Sequence, residues 1–207
     1  MLFRSGVCMS VATPYFDQLF AENDDPWAFR QRWYERRKRA LTLAILTRPR
    51  YASVFEPGCA NGELSFELAP RCDRLLCCDT ASAAVALARG RLLGFPHAQV
   101  QQSRLPKQWP SGQFELIVLS ELCYYLDADD LCQLIDRARA SLTADGQVLA
   151  CHWRAPIEGC PQTAEQVHAL LAQRLGMQLA ATHHESDFLL DLWSRDGASV
   201  ATLEGLR

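Results

Sequence analysis

Short apolar runs separated by amphipathic stretches set the pattern of this chain. Tyr51 to Phe55, Leu75 to Asp79, Gln99 to Gln102, Phe114 to Ser120 and Val148 to Trp153 are brief and bounded by turn residues, and they read as strands. Between them, Glu63 to Leu68, Ala81 to Leu93 and Asp129 to Leu142 carry apolar residues at helical spacing, with Asp145-Gly146 as a turn after the last. Near-continuous apolar strands alternating with helices predict an α/β domain whose mostly parallel sheet is covered on both faces. Thr163 to Leu175 reads as a helix closing on Gly176. Gln178 to His184 and Phe188 to Ser194 then read as strands separated only by Glu185-Ser186-Asp187, so they form an antiparallel hairpin at the sheet edge. The expected sheet has seven strands.

Ahead of the sheet, Asp25 and Pro26 supply a cap and a first helical residue, and no Gly or Pro interrupts the chain from Trp27 to Arg48. One amphipathic helix is expected there, with Trp27, Tyr34, Leu41 and Ile45 on its apolar side. The organisation expected is a disordered leader over 1–13, a helical lid over 14–50, the α/β domain over 51–195 and a tail over 196–207. Residues 30 to 39 hold six Lys or Arg against one Glu. That run reads as a solvated helix face, with an anionic partner as the rival reading.

Composition narrows the function. At 207 residues with a formal net charge of −3, the chain fits one α/β domain and has no global basic field for nucleic acid. Its nine cysteines form no C-x-x-C pair, which reads as buried reduced thiols in a cytoplasmic protein and not as a zinc site. No metal is expected. Nowhere do about 18 apolar residues run together, so no membrane association is expected either. Met9 is an alternative start.

The chemistry centres on Val54 to Gly62. A strand ending in Glu56, a glycine turn and a helix start place backbone N–H groups at the carboxyl edge of a sheet, where ligands bind. The dinucleotide fingerprint needs a middle glycine for the pyrophosphate; here that position is Ala60. A carboxylate at Glu56 would repel phosphate and pair with an ammonium. These features describe S-adenosylmethionine better than NAD, with a nicotinamide oxidoreductase the disfavoured alternative, and Glu56-x-Gly58-Cys59-x-x-Gly62 resembles motif I of class I methyltransferases. Asp79, seventeen positions beyond Gly62, is placed to receive ribose hydroxyls. Ser103-Arg104-Leu105 follows the third strand, where such enzymes bind adenine. Trp27, Tyr34 and Lys38 fall on one side of the leader helix, where aromatic faces suit a sulfonium and Lys38 suits the cofactor carboxylate. Packing of that helix on the sheet is the competing reading. Ser120, Glu121, Tyr124, Tyr125 and His152-Trp153 follow the fourth and fifth strands on the same edge. Glu121 or His152 is the candidate base for a protonated acceptor, and Tyr124 or Tyr125 its orienting group.

The run Tyr15-Phe16-Asp17-x-Leu19-Phe20, Asp25-Pro26-Trp27, Tyr34-Glu35, Glu56-Pro57-Gly58-Cys59, Phe114 to Glu121, Tyr124-Tyr125-Leu126 and His152-Trp153 resembles the nodulation protein S family of S-adenosylmethionine-dependent methyltransferases. The resemblance spans about residues 15 to 195. It implies a Rossmann-like class I methyltransferase fold and N-methylation of an amine on a small molecule, with an amino sugar among the acceptors. Phe114-Glu115 departs from the family's usual Phe-Asp. An O-methyltransferase of small hydroxyl compounds, or a cofactor-binding regulatory protein without turnover, are the alternatives. The oligomeric state is open.

Overall fold

The computed structural model describes residues 9–207. The expected leader lies outside the described residues up to position 8. Residues 9–12 run into α1 (Thr13–Glu22), with Pro14 in its first turn. The sheet has seven strands: β1 (Val54–Pro57), β2 (Leu75–Asp79), β3 (Ala98–Gln102), β4 (Phe114–Ser120), β5 (Leu142–Trp153), β6 (Gln178–His184) and β7 (Phe188–Ser194). Their order is β3-β2-β1-β4-β5-β7-β6. The first five are parallel, and β7 pairs antiparallel with both β5 and β6. The expected edge hairpin is therefore present, with β7 as its inner strand.

Side chains of β4 alternate between two layers. Ile117 and Leu119 pack with Leu131, Leu134 and Ile135 of α5 (Ala128–Ala140) and with Val167 and Leu171 of α6 (Ala164–Leu175). Leu116 and Val118 pack on the other face with Leu68 of α3 (Glu63–Leu68) and Ala88 of α4 (Ser82–Arg91). Burial on both faces is the reason these strands read as continuous apolar runs. Asp127 caps α5 through the Asp130 amide, and Thr163 with Gln166 forms a capping box on α6.

Two expectations are corrected. The single helix from Trp27 to Arg48 is instead α2 (Trp33–Ala44), preceded by turns at residues 26–31. The Asp25 carboxylate does accept from the Phe29 and Arg30 amides, but it also accepts from Asn61 Nδ2, and Ala28 adopts a positive φ of 58°. A left-handed residue ends a helix, so the cap closes a turn instead. The second correction is Asp145-Gly146, which lies within β5. The register jumps from Phe114↔Leu142 to Leu116↔Gln147, so the turn residues form an irregularity inside one long strand. Past β7, α7 (Val200–Leu203) occupies the tail.

Candidate active site

The carboxyl edge of β1, β2 and β4 opens into a cavity of about 500 Å³. That lies within the range of about 300 to 1,000 Å³ usual for small-ligand sites. Trp27, Tyr34, Lys38, Glu56, Gly58, Cys59, Asp79, Ser103, Arg104, Leu105, Ser120, Glu121 and Tyr125 all line it, as does Tyr124. Gly62 and His152 do not.

The loop after β1 is held to β2. Gly58 and Cys59 donate to the Cys78 carbonyl, and the Ala60 amide donates to Asp79 Oδ2 at 2.9 Å. Gly58, Ala60 and Gly62 all have positive φ, and at Ala60 this is a conformation that a side chain seldom adopts. Asp79 thus pins the loop through one oxygen and caps the Ala81 amide through the other, while still facing the cavity. Gly62 serves packing: a Cβ there would meet the Ala88 Cα of α4 at 3.0 Å. Its glycine is required by helix contact, not by the ligand. Glu56 is buried and accepts from Ser65 Oγ and Cys77 Sγ. Burial pushes its pKa from 4.5 up to about 7 against those two bonds.

Across the cavity, Glu121 stands at the end of β4 with a positive φ of 54°. That conformation turns its carboxylate toward three donors: Lys38 Nζ at 2.7 Å, Tyr124 Oη at 2.5 Å and the Trp153 amide at 2.9 Å. Lys38 also meets Glu35 at 3.2 Å. Burial alone would lower the Lys38 pKa, but Glu121 and Glu35 outweigh it and hold it above its ordinary value. Burial raises the Glu35 pKa despite Lys38. Lys38 is therefore consumed by two carboxylates, and the expectation that it faces a ligand carboxylate is corrected. The trio carries two acids and one base, so this wall of the cavity favours a cation.

His152 is corrected as a base. It is fully buried behind the wall, and burial with the neighbouring His168 pushes its pKa well below the usual histidine value. Its Nε2 lies 3.2 Å from the Cys123 amide. An amide N–H only donates, so Nε2 accepts and the His152 proton sits on Nδ1. Nδ1 then donates to His168 Nε2 at 3.1 Å, and His168 Nδ1–H donates to Asp191 Oδ2 at 2.6 Å. The relay braces the 3₁₀ turn Cys123–Tyr125 that carries Tyr124.

A strap crosses the cavity. Val11 N donates to the Tyr125 carbonyl, Ser10 Oγ to Asp130, and Thr13 Oγ1 pairs with Thr80 Oγ1 at 2.8 Å. Phe16 packs edge-on against Tyr125, and Phe20 against Trp27. Sequence reasoning missed Glu35, Asn61 and this strap. Asn61 is 1% exposed, lines the cavity, and its Oδ1 has no partner, as is true of the Tyr34 hydroxyl. The signal for Asn61 was its place inside the motif loop. Glu35 stood beside Tyr34 in the quoted motif, with no cue that it faces inward.

The geometry agrees with relationships to known proteins. The family model described as Nodulation protein S (NodS) matches residues 17–180. The chain belongs to this family. Nodulation protein S of Rhizobium tropici is 34% identical over 104 residues, which cover 50% of this chain and 44% of that protein. Nodulation protein S of Sinorhizobium fredii is 33% identical over 109 residues, 50% of this chain and 49% of that one. The chain thus spans about half the length of the curated relatives it matches. A crystal structure of a candidate methyltransferase from Pseudomonas syringae is 66% identical, with a TM-score of 0.72 over 79% of this chain and all of that one. N-methyltransferase NodS from Bradyrhizobium japonicum WM9, solved with S-adenosyl-L-homocysteine, is 25% identical, with a TM-score of 0.80 over 88% of this chain and 97% of that one. The sheet of this NodS-family chain is that of the class I S-adenosylmethionine-dependent methyltransferases.

Proposed function

We propose that the protein is an S-adenosylmethionine-dependent methyltransferase acting on an amine of a small molecule, with an amino sugar among the acceptors. One observation carries the reading: a single cavity has the motif loop on one side and a wall of two carboxylates and one lysine on the other. The Bradyrhizobium relative, an N-methyltransferase solved with the demethylated cofactor, supports it. The cofactor fits the residues present. Glu56 suits its ammonium, the orphaned Asn61 Oδ1 accepts a further donor, Asp79 suits the ribose, and Ser103 to Leu105 border the adenine end. Trp27 and Tyr34 supply aromatic faces toward the sulfonium. When bound, S-adenosylmethionine supplies an electrophilic methyl group.

The chain's own residues orient the acceptor and remove its proton. Glu35 and Glu121 draw in an ammonium. Tyr124 donates its hydroxyl proton to Glu121 Oε2, which leaves its oxygen as an acceptor for an amine N–H. A proton leaving the amine passes to Tyr124 as Tyr124 yields its own to Glu121. Tyr124, not His152, is then the group in line with the acceptor. The test is methylation of a panel of amines, detected by mass spectrometry, with Tyr124→Phe beside the parent. We expect kcat to fall by roughly 10² to 10⁴ at neutral pH, with the loss shrinking as pH rises and the amine arrives unprotonated. A pH-independent rate ratio would overturn the proton route, and absence of turnover on every amine would overturn the acceptor class.

A further inference from the structure

A second cluster of ligand-type side chains lies on the hairpin side of the sheet. His168 of α6, His184 at the end of β6 and Asp191 of β7 each offer one ligand atom, all within 4.8 Å of one another. Asp191 stands between the two rings, its Oδ2 toward His168 Nδ1 and its Oδ1 toward His184 Nε2 at 3.0 Å. Thr182 Oγ1 fixes the carboxylate from behind at 2.6 Å. His168 and Asp191 are buried, whereas the His184 side chain is half exposed and opens the cluster to solvent. Two imidazoles and one carboxylate, with a solvent-facing fourth side, are the ligand set that zinc-class ions take at open sites. The far side of His168 rests on His152 at 3.1 Å, which fixes the orientation of its ring. The ligands are widely spaced in the chain, which is why no metal spacing was legible.

We propose that His168, His184 and Asp191 form a site for a divalent zinc-class ion.

The experiment uses the full chain and the metal alone. Titration with Co²⁺ followed by absorption, and with Zn²⁺ by calorimetry, should show one ion per chain without a sulfur-to-cobalt charge-transfer band. His184→Ala, at a half-exposed position, should weaken binding by more than about tenfold. Absent binding, equal binding by the variant, or a sulfur band from the cysteines would overturn the site.

Discussion

Glu56 is held in the fold at a stability cost, because burial opposes its charged form. Its folded pKa of about 7 exceeds the value of 4.5 expected in the unfolded chain, so its contribution favours folding only while it is protonated. That contribution is intact below 4.5 and fades as pH rises through 7. Glu56→Gln removes the titration, and we expect it to stabilise the ligand-free protein at pH 8 by up to about 3 kcal/mol while weakening S-adenosyl-L-homocysteine binding. Urea unfolding with and without ligand checks both signs. The Lys38 trio makes an opposite case. Lys38→Met strands the buried Glu35 and takes one of three donors from the partly buried Glu121, and should cost about 3 to 5 kcal/mol. Glu121→Gln leaves Lys38 paired with Glu35, so its cost should stay near 1 to 3 kcal/mol. Equal losses in the two variants would mean that Glu35 does not share the lysine.

Among the elements, the strands and their order were legible because burial on both faces writes an uninterrupted apolar run, and the Glu185-Ser186-Asp187 break announced the hairpin. The lid was legible only in part. Trp27, Tyr34 and Lys38 do reach one cavity, but the turn between them is set by Asp25 meeting Asn61, a contact thirty-six residues apart that no local pattern carries. Lys38 and His152 went astray for a shared reason: residue type proposes a role, whereas the partner that cancels it, Glu121 or the Cys123 amide, arrives by tertiary folding. The basic run that leads into α2 resolves similarly. Arg30 pairs with Asp24, Arg39 with Glu67, and Arg37 forks onto Glu185 in the hairpin turn. Arg37 is 41% exposed, so Arg37→Ala should change global stability by less than about 1 kcal/mol. It should nevertheless speed amide exchange along α2, because the fork ties that helix to the sheet edge. Unchanged exchange would show that apolar packing alone holds α2.

For the whole molecule, ligand linkage is the broadest check. S-adenosyl-L-homocysteine at about 100 times its dissociation constant should stabilise by about 2.7 kcal/mol, a rise of roughly 5 to 10 °C in Tm for a chain of this size, and NAD should give none. A shift with NAD alone would refute the cofactor assignment. No described helix is long and apolar enough to cross a membrane.

The strap over the cavity bears on the timing of turnover. It is fastened on both banks, by Thr13 to Thr80 on one and by Val11 to Tyr125 on the other. With cofactor bound beneath it, release of the spent form would require both fastenings to part, and lid opening of this kind often outlasts the chemical step. Rapid-quench measurements should then show a burst of methylated product equal to one turnover, followed by a slower steady state. Thr13 lines the cavity, but Thr13→Val unties one bank and leaves the Glu35–Lys38–Glu121 wall intact, so it should quicken the steady phase and leave the burst rate alone.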